Sequence, residues 1–254
     1  MNADGPVTFG LIHGGAHGAW CFERLIAALA RRGHPAVAMD LPCEDDQAGT
    51  AQYAQVVTGA LADRPDPVVL VAHSLGGLTA PLVAIARPVR LMIFIAAHLP
   101  VPGLSLNDQR RAEPDMMSAY HGGVAGLRDR FYNTCSPADG DWAMARLRRQ
   151  SLTPFAEITP LRRWPAVPSA YLVGTKDHAT NPDWARRAAR ERLGVDAIEL
   201  TGSDHSPFLN RPAELAELLT LLAAARRPDS ARRPDSAAGV SAAPGSPDPG
   251  RRPR

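Results

Sequence analysis

Over the first 225 residues, short apolar and β-branched runs alternate with longer stretches whose apolar residues recur at helical spacing. The runs Val7–Ile12, Ala36–Met39, Val68–Ala72, Arg90–Ala96, Ser169–Val173 and Asp196–Leu200 are mostly uninterrupted, as expected of strands buried on both faces. Between them the spacing predicts helices over Trp20–Arg31, Thr50–Ala62, Leu75–Ile85, Pro182–Leu193 and Pro212–Ala225. Strand followed by helix, repeated, predicts an α/β fold with a mostly parallel sheet flanked by helices. The rhythm breaks after the strand ending near Ala96. From 98 to about 166, prolines, glycines and irregular helical stretches carry Met116, Met117, Phe131, Trp142, Met144, Phe155 and Trp164, with no strand pattern among them. This predicts a helical cap over the strand ends, with two ordinary packing helices as the alternative that composition allows.

Composition changes the picture at the C-terminal end. Residues 226–254 are dominated by Arg, Pro, Ser, Ala and Gly, and ARRPDS occurs twice in succession at 225–230 and 231–236. Apart from Val240, such a segment has no large apolar side chains to offset the entropy of ordering it, so a disordered tail is expected. It holds seven Arg and three Asp, while the whole chain carries 28 Lys and Arg against 26 Asp and Glu, so residues 1–225 have a formal net charge of −2. The folded part therefore offers no basic field for nucleic acid or an anionic membrane. At 254 residues and 45% hydrophobic, the chain can bury a core without disulfides or a structural metal. Cys21, Cys43 and Cys135 are sparse and lack C-x-x-C spacing, which suits free thiols in a reducing compartment. No apolar run approaches the ~18 residues of a membrane span, and the N-terminus lacks a leader pattern. A cytoplasmic, soluble protein of residues 1–225 plus tail, monomeric or homodimeric, is expected.

The chemistry concentrates at four junctions. Val68-Val69-Leu70-Val71-Ala72-His73-Ser74-Leu75-Gly76-Gly77-Leu78 runs from an apolar strand into a helix, with Ser74 at the join and the small residues Ala72 and Gly76 two positions either side. This is the spacing of a nucleophile elbow, G-x-S-x-G with alanine in the first place. An N-cap serine is the plainer reading of that residue alone. A serine hydroxyl needs a base within reach, itself oriented by a third group. Further along the chain, Gly174-Thr175-Lys176-Asp177-His178 follows one strand, and Thr201-Gly202-Ser203-Asp204-His205-Ser206 follows another. Asp177 and His205 thus fall after Ser74, each on a loop past a strand; Asp204 is the other carboxylate that could partner His205. The glycine-rich loop Ile12-His13-Gly14-Gly15-Ala16-His17-Gly18 after the first strand has neither G-x-G-x-x-G nor G-K-[ST] spacing, which argues against a phosphate loop. The backbone N–H groups of Gly15 and Leu75 are the expected oxyanion donors. His17 and His98 are candidates to line a substrate pocket; His13, His73 and His178 are expected to brace loops or face solvent, and Cys135 to fill space.

Together HGGAHGAWCFERL, AHSLGGL, GTKDHATNPDW and GSDHSPFLNRPAEL resemble the corresponding blocks of α/β-hydrolases of the methylesterase and hydroxynitrile lyase group, across residues 7 to about 225. The resemblance implies an eight-stranded or slightly trimmed sheet under a helical cap, a Ser74–His205–Asp177 triad, and no cofactor or metal. In that group the lyases place threonine directly after the first histidine of the glycine loop and lysine directly after the catalytic histidine; here Gly14 and Ser206 stand there. The esterase branch is therefore expected: a serine hydrolase acting through an acyl-enzyme on a small-molecule ester, such as a methyl or aryl ester. A non-hydrolytic lyase, cyclase or thioesterase and a hydrolase-like binding protein are the alternatives.

Overall fold

The computed structural model describes residues 5–119 and 126–225; the expected tail lies outside them. Six strands form one sheet: β1 (Phe9–Ile12), β2 (Ala36–Ala38), β3 (Val68–His73), β4 (Val89–Ile95), β5 (Ser169–Gly174) and β6 (Ile198–Leu200). Their order is β2-β1-β3-β4-β5-β6, and every neighbouring pair is parallel. All six apolar runs are strands, so among the described residues the sheet has six strands, the trimmed form that the resemblance allows.

Alternation along the central strands sorts side chains into two cores. Val69 and Val71 of β3 join Leu91, Ile93 and Ile95 of β4 against α1 (Glu23–Arg31) and α10 (Pro212–Ala225), with Leu25, Leu29, Leu215 and Leu219 pointing inward. Leu70 and Ala72 join Met92, Phe94 and Tyr171 on the other face. That face is covered by α2 (Thr50–Ala60), α3 (Ala80–Ala86) and α8 (Pro182–Ala188) through Tyr53, Val57, Val83 and Trp184. Each fully buried Val, Leu or Phe here contributes about 1.5–3 kcal/mol of transfer free energy, which is why apolar runs without alternating polar residues make the centre of the sheet.

Three predicted helices are interrupted. Trp20–Arg31 is a 3₁₀ turn over Ala19–Phe22 followed by α1, and Pro182–Leu193 is α8 followed by a π turn over Ala189–Leu193 that ends at left-handed Gly194. Leu75–Ile85 is a 3₁₀ turn over Ser74–Leu78, then α3, which restarts with Pro81 in its first turn. Proline suits that position because its missing N–H would be unpaired there anyway.

After Ala96, itself left-handed at φ 48°, the chain leaves the sheet and returns only at β5. Among the described residues the interval holds four short α-helices, α4 (Leu106–Ala112), α5 (Leu127–Tyr132), α6 (Pro137–Met144) and α7 (Thr153–Ala156), with a 3₁₀ turn over Pro114–Met116. Ser105 caps α4 and Ser136 caps α6, each accepting the N–H of an aspartate three residues on. The remaining helix, α9 (Pro207–Asn210), lies between β6 and α10. Among the described residues no helix is long and apolar enough to cross a membrane.

Candidate active site

In a parallel sheet all strands end on one edge, and the order β2-β1-β3 sends the connections after β1 and β3 in opposite directions. A crevice opens at such a reversal. Here it lies between the loop after β1, which carries Gly14 and Gly15, and the turn after β3, which begins at Ser74.

Ser74 adopts φ 50°, in the left-handed region that a residue with a Cβ avoids at a cost of about 1–3 kcal/mol. Its surroundings hold it there: the His98 N–H donates to the Ser74 carbonyl at 2.9 Å. A Cβ on Gly76 would stand 2.7 Å from the His13 carbonyl oxygen, and one on Gly77 would collide with that of His98. Gly76 and Gly77 thus let the turn after Ser74 pack directly on two neighbouring loops. The sequence assigned this clearance to Ala72 and Gly76; Gly77 is the tighter position.

Asp177 and His205 are both buried, and the Nδ1–H of His205 donates to Asp177 Oδ2 at 2.9 Å. The other oxygen of Asp177, Oδ1, accepts the N–H groups of Ala179 at 2.7 Å and Thr180 at 2.9 Å. A carboxylate fixed by two backbone donors and facing an imidazole imposes the tautomer that leaves the Nε2 lone pair free. Asp204 faces elsewhere. Its Oδ1 accepts the Ser206 N–H and its Oδ2 accepts the Thr134 N–H, both at 3.0 Å, while the Cys135 thiol also points to Oδ2 at 3.6 Å. Burial, with the nearby Asp204 charge, pushes that thiol up to about 12.

Ser74, His205, Gly15, Leu75, His17 and His98 all line one cavity of about 240 Å³. The two histidines differ within it. His17 has both ring nitrogens engaged, Nδ1 with the Gly15 carbonyl and Nε2 with the Tyr132 hydroxyl, each at 2.8 Å, so it braces the glycine loop. Neither ring nitrogen of His98 has a partner although both are buried. Burial lowers the pKa of His98 well below 6.5, with the Arg110 charge adding to the effect. His13 likewise braces, its Nε2 accepting the Leu41 N–H at 3.0 Å, whereas His178 is exposed and meets Asp129.

Most of the remaining wall comes from the α4–α7 segment, which short motifs could not reveal: Arg110, Met117, Arg130, Phe131, Gln150 and Phe155 among others. Phe131 stacks on the His205 ring with centroids 5.6 Å apart. Gln150 accepts the Ala16 N–H through Oε1 at 3.1 Å, clamping the glycine loop from 134 positions away. A larger cavity of about 530 Å³, lined by Ile85, Pro160 and residues 162–166, contains no nucleophile or base.

A profile of the Alpha/beta hydrolase family matches residues 11–218. The chain is 29% identical over 258 residues to the probable esterase PIR7A of Oryza sativa subsp. indica, covering 87% of this chain and 98% of that protein. It is 26% identical over 248 residues to methyl jasmonate esterase 1 of Vitis vinifera, covering 83% and 94%. Among solved structures, polyneuridine aldehyde esterase superposes with a TM-score of 0.72 at 24% identity, covering 85% of this chain and 99% of that one.

Proposed function

Because the chain belongs to the alpha/beta hydrolase family, we propose that it is a serine hydrolase that cleaves a small carboxylic ester through an acyl-enzyme. The observation that carries this reading is the buried Asp177–His205 pair opening onto the same cavity as a left-handed serine. The names of its relatives, esterases among them, support ester hydrolysis, and its three free cysteines suit the cytoplasm.

In this mechanism His205 Nε2 takes the proton of Ser74 Oγ as the oxygen attacks the ester carbonyl. The N–H groups of Gly15 and Leu75 meet the developing oxyanion, in a pocket where few water dipoles compete with them. Asp177 stabilises the imidazolium without taking its proton. His205 then protonates the departing alcohol, and a water activated by the same imidazole releases the acid and regenerates Ser74. Residues 98–166 act in this scheme as the lid that shapes the acyl and alcohol subsites.

A fluorophosphonate probe tests the nucleophile. It should label the wild type and not Ser74→Ala, and the substitution should lower kcat by roughly a thousandfold or more. Activity within tenfold of wild type would exclude Ser74.

A further inference from the structure

Most of the wall around Ser74 and His205 is apolar, yet Arg110 of α4 and Arg130 of α5 both line it. Arg110 is half-buried, and its guanidinium lies over the Phe155 ring, 5.1 Å from the centroid. Among the described residues it makes no hydrogen bond and no ion pair, and its Nε is buried without a partner. This sets it apart from its sequence neighbour Arg111, which pairs with Asp108, and from Arg148 and Arg149 later in the same segment, which pair with Glu44 and Asp46. The carboxylates near α4 and α5 are engaged elsewhere, Glu113 with Arg192 and Trp184, and Asp129 with His178. The charge that acts on Arg110 is that of Arg130, which repels it; burial and that repulsion together pull its pKa below the ordinary arginine value. The six residues between the described segments, Tyr-His-Gly-Gly-Val-Ala, bring no carboxylate. Beside the two arginines stands His98, with its unpartnered ring nitrogens.

The Arg110 guanidinium, without a counter-ion among the described residues, lining the cavity and standing beside the positive charge of Arg130, has the chemistry of an anion seat. Its planar fork matches a carboxylate, and a ligand bearing one relieves both the repulsion and the missing hydrogen bonds. We propose that the ester cleaved here carries a free carboxylate bound by Arg110 and Arg130, so that the substrate class is the monoester of a small dicarboxylic acid. The volume of about 240 Å³ lies below the ~300–1,000 Å³ usual for ligand pockets, which favours a short chain between the two carboxyl groups. Hydrolysis consumes one water and yields a dicarboxylate, an alcohol and a proton. This inference rests on the serine-hydrolase reading and adds to it the identity of the acid portion.

The test compares kcat/KM for monomethyl glutarate and monomethyl adipate with their neutral dimethyl esters at pH 7.5, on the full chain. The wild type should favour a monoester over its diester at least tenfold. Arg110→Gln and Arg130→Gln should each reduce that ratio tenfold or more, with Arg110→Lys retaining part of it. Fluorophosphonate labelling of Ser74 in each variant reports whether the site is assembled, and if Arg110→Gln does not fold, Arg130→Gln and Arg110→Lys are read alone. A wild-type ratio near one with normal labelling overturns the carboxylate seat and leaves the hydrolase reading standing. A high ratio that neither arginine moves overturns the seat as well. Failure of wild-type labelling overturns the hydrolase reading on which it rests.

Discussion

Nε2 of His73 lies 3.0 Å from the carbonyl oxygen of His205, and the two rings are 4.6 Å apart, centroid to centroid. A carbonyl oxygen can only accept, so His73 is the neutral tautomer with its proton on Nε2. Its opposite nitrogen, Nδ1, has no partner, and a Cβ on Gly14 would stand 2.8 Å from it. One uncharged ring thereby joins the end of β3 to the loop after β6, across two intervening strands.

That ring belongs to a group of buried histidines whose proton affinity falls on folding, which predicts acid lability. Burial lowers the pKa of His13 from 6.5 to about 4 and that of His17 to about 3, and lowers those of His73 and His98 well below 6.5. Below pH 6.5 the unfolded chain binds protons that the folded chain refuses. Stability should therefore fall as pH drops from 6.5 towards 4, by up to about 1.4 kcal/mol per pH unit for each histidine. Urea unfolding at pH 7, 6 and 5 measures this; a midpoint that stays constant or rises towards pH 5 contradicts it.

Asp177→Asn should leave the fold intact and cut kcat by about 10⁴. The amide oxygen can still accept from Ala179 and Thr180, but the amide NH₂ then faces His205 Nδ1, which must accept instead of donating. The imidazole is left with its proton on Nε2, where the reaction needs a lone pair. Steady-state kinetics with an activated ester, alongside an unchanged circular dichroism spectrum, checks both parts.

Gly77→Ala and Gly59→Ala should act in opposite directions. The new Cβ at residue 77 meets backbone at the His98 carbonyl and the Ala97 side chain at 3.0 Å, so the turn after Ser74 must shift, with a destabilisation of about 1–3 kcal/mol and loss of activity. At residue 59, inside α2 and exposed, nothing lies within 4 Å, and alanine should stabilise by about 0.5–1 kcal/mol. Thermal melts of the two variants side by side give the sign of each.

Asp204 ties the loop of His205 to residues 134 and 135, so Asp204→Ala should destabilise by about 2–4 kcal/mol through several buried donors left unpaired. Asp204→Asn keeps an acceptor and removes the charge that helps to hold the Cys135 thiol protonated. Alkylation of Cys135 by iodoacetamide at pH 8 should be faster in that variant than in the wild type.

The legible part of this molecule was whatever is encoded locally. An apolar run such as Val68–Ala72 reads directly as a buried strand, and Ser74, Asp177 and His205 could be picked out as candidates because each follows such a run at a turn. The interruption at Thr79 was not legible, because the 3₁₀ turn over Ser74–Leu78 has the same apolar spacing as a continuous helix. His17 could be assigned to the site but not to its task, since its partner Tyr132 is 115 positions away. Arg110 and Arg130 were missed for a related reason. In a chain with 28 basic residues, only the arrangement of α4 and α5 distinguishes arginines that face the cavity from those on the surface.

The residues proposed to carry the reaction sit on loops leaving β1, β3, β5 and β6, while much of the wall a substrate would touch is supplied by helices α4, α5 and α7 and the loops between them. These two contributions come from separate stretches of chain. Substitutions in the second stretch that spare Phe131, Gln150 and residues 132–135, which brace the first, would reshape the space for acid or alcohol while the proposed catalytic groups stay in place, giving the protein room to acquire new substrates by drift in one segment.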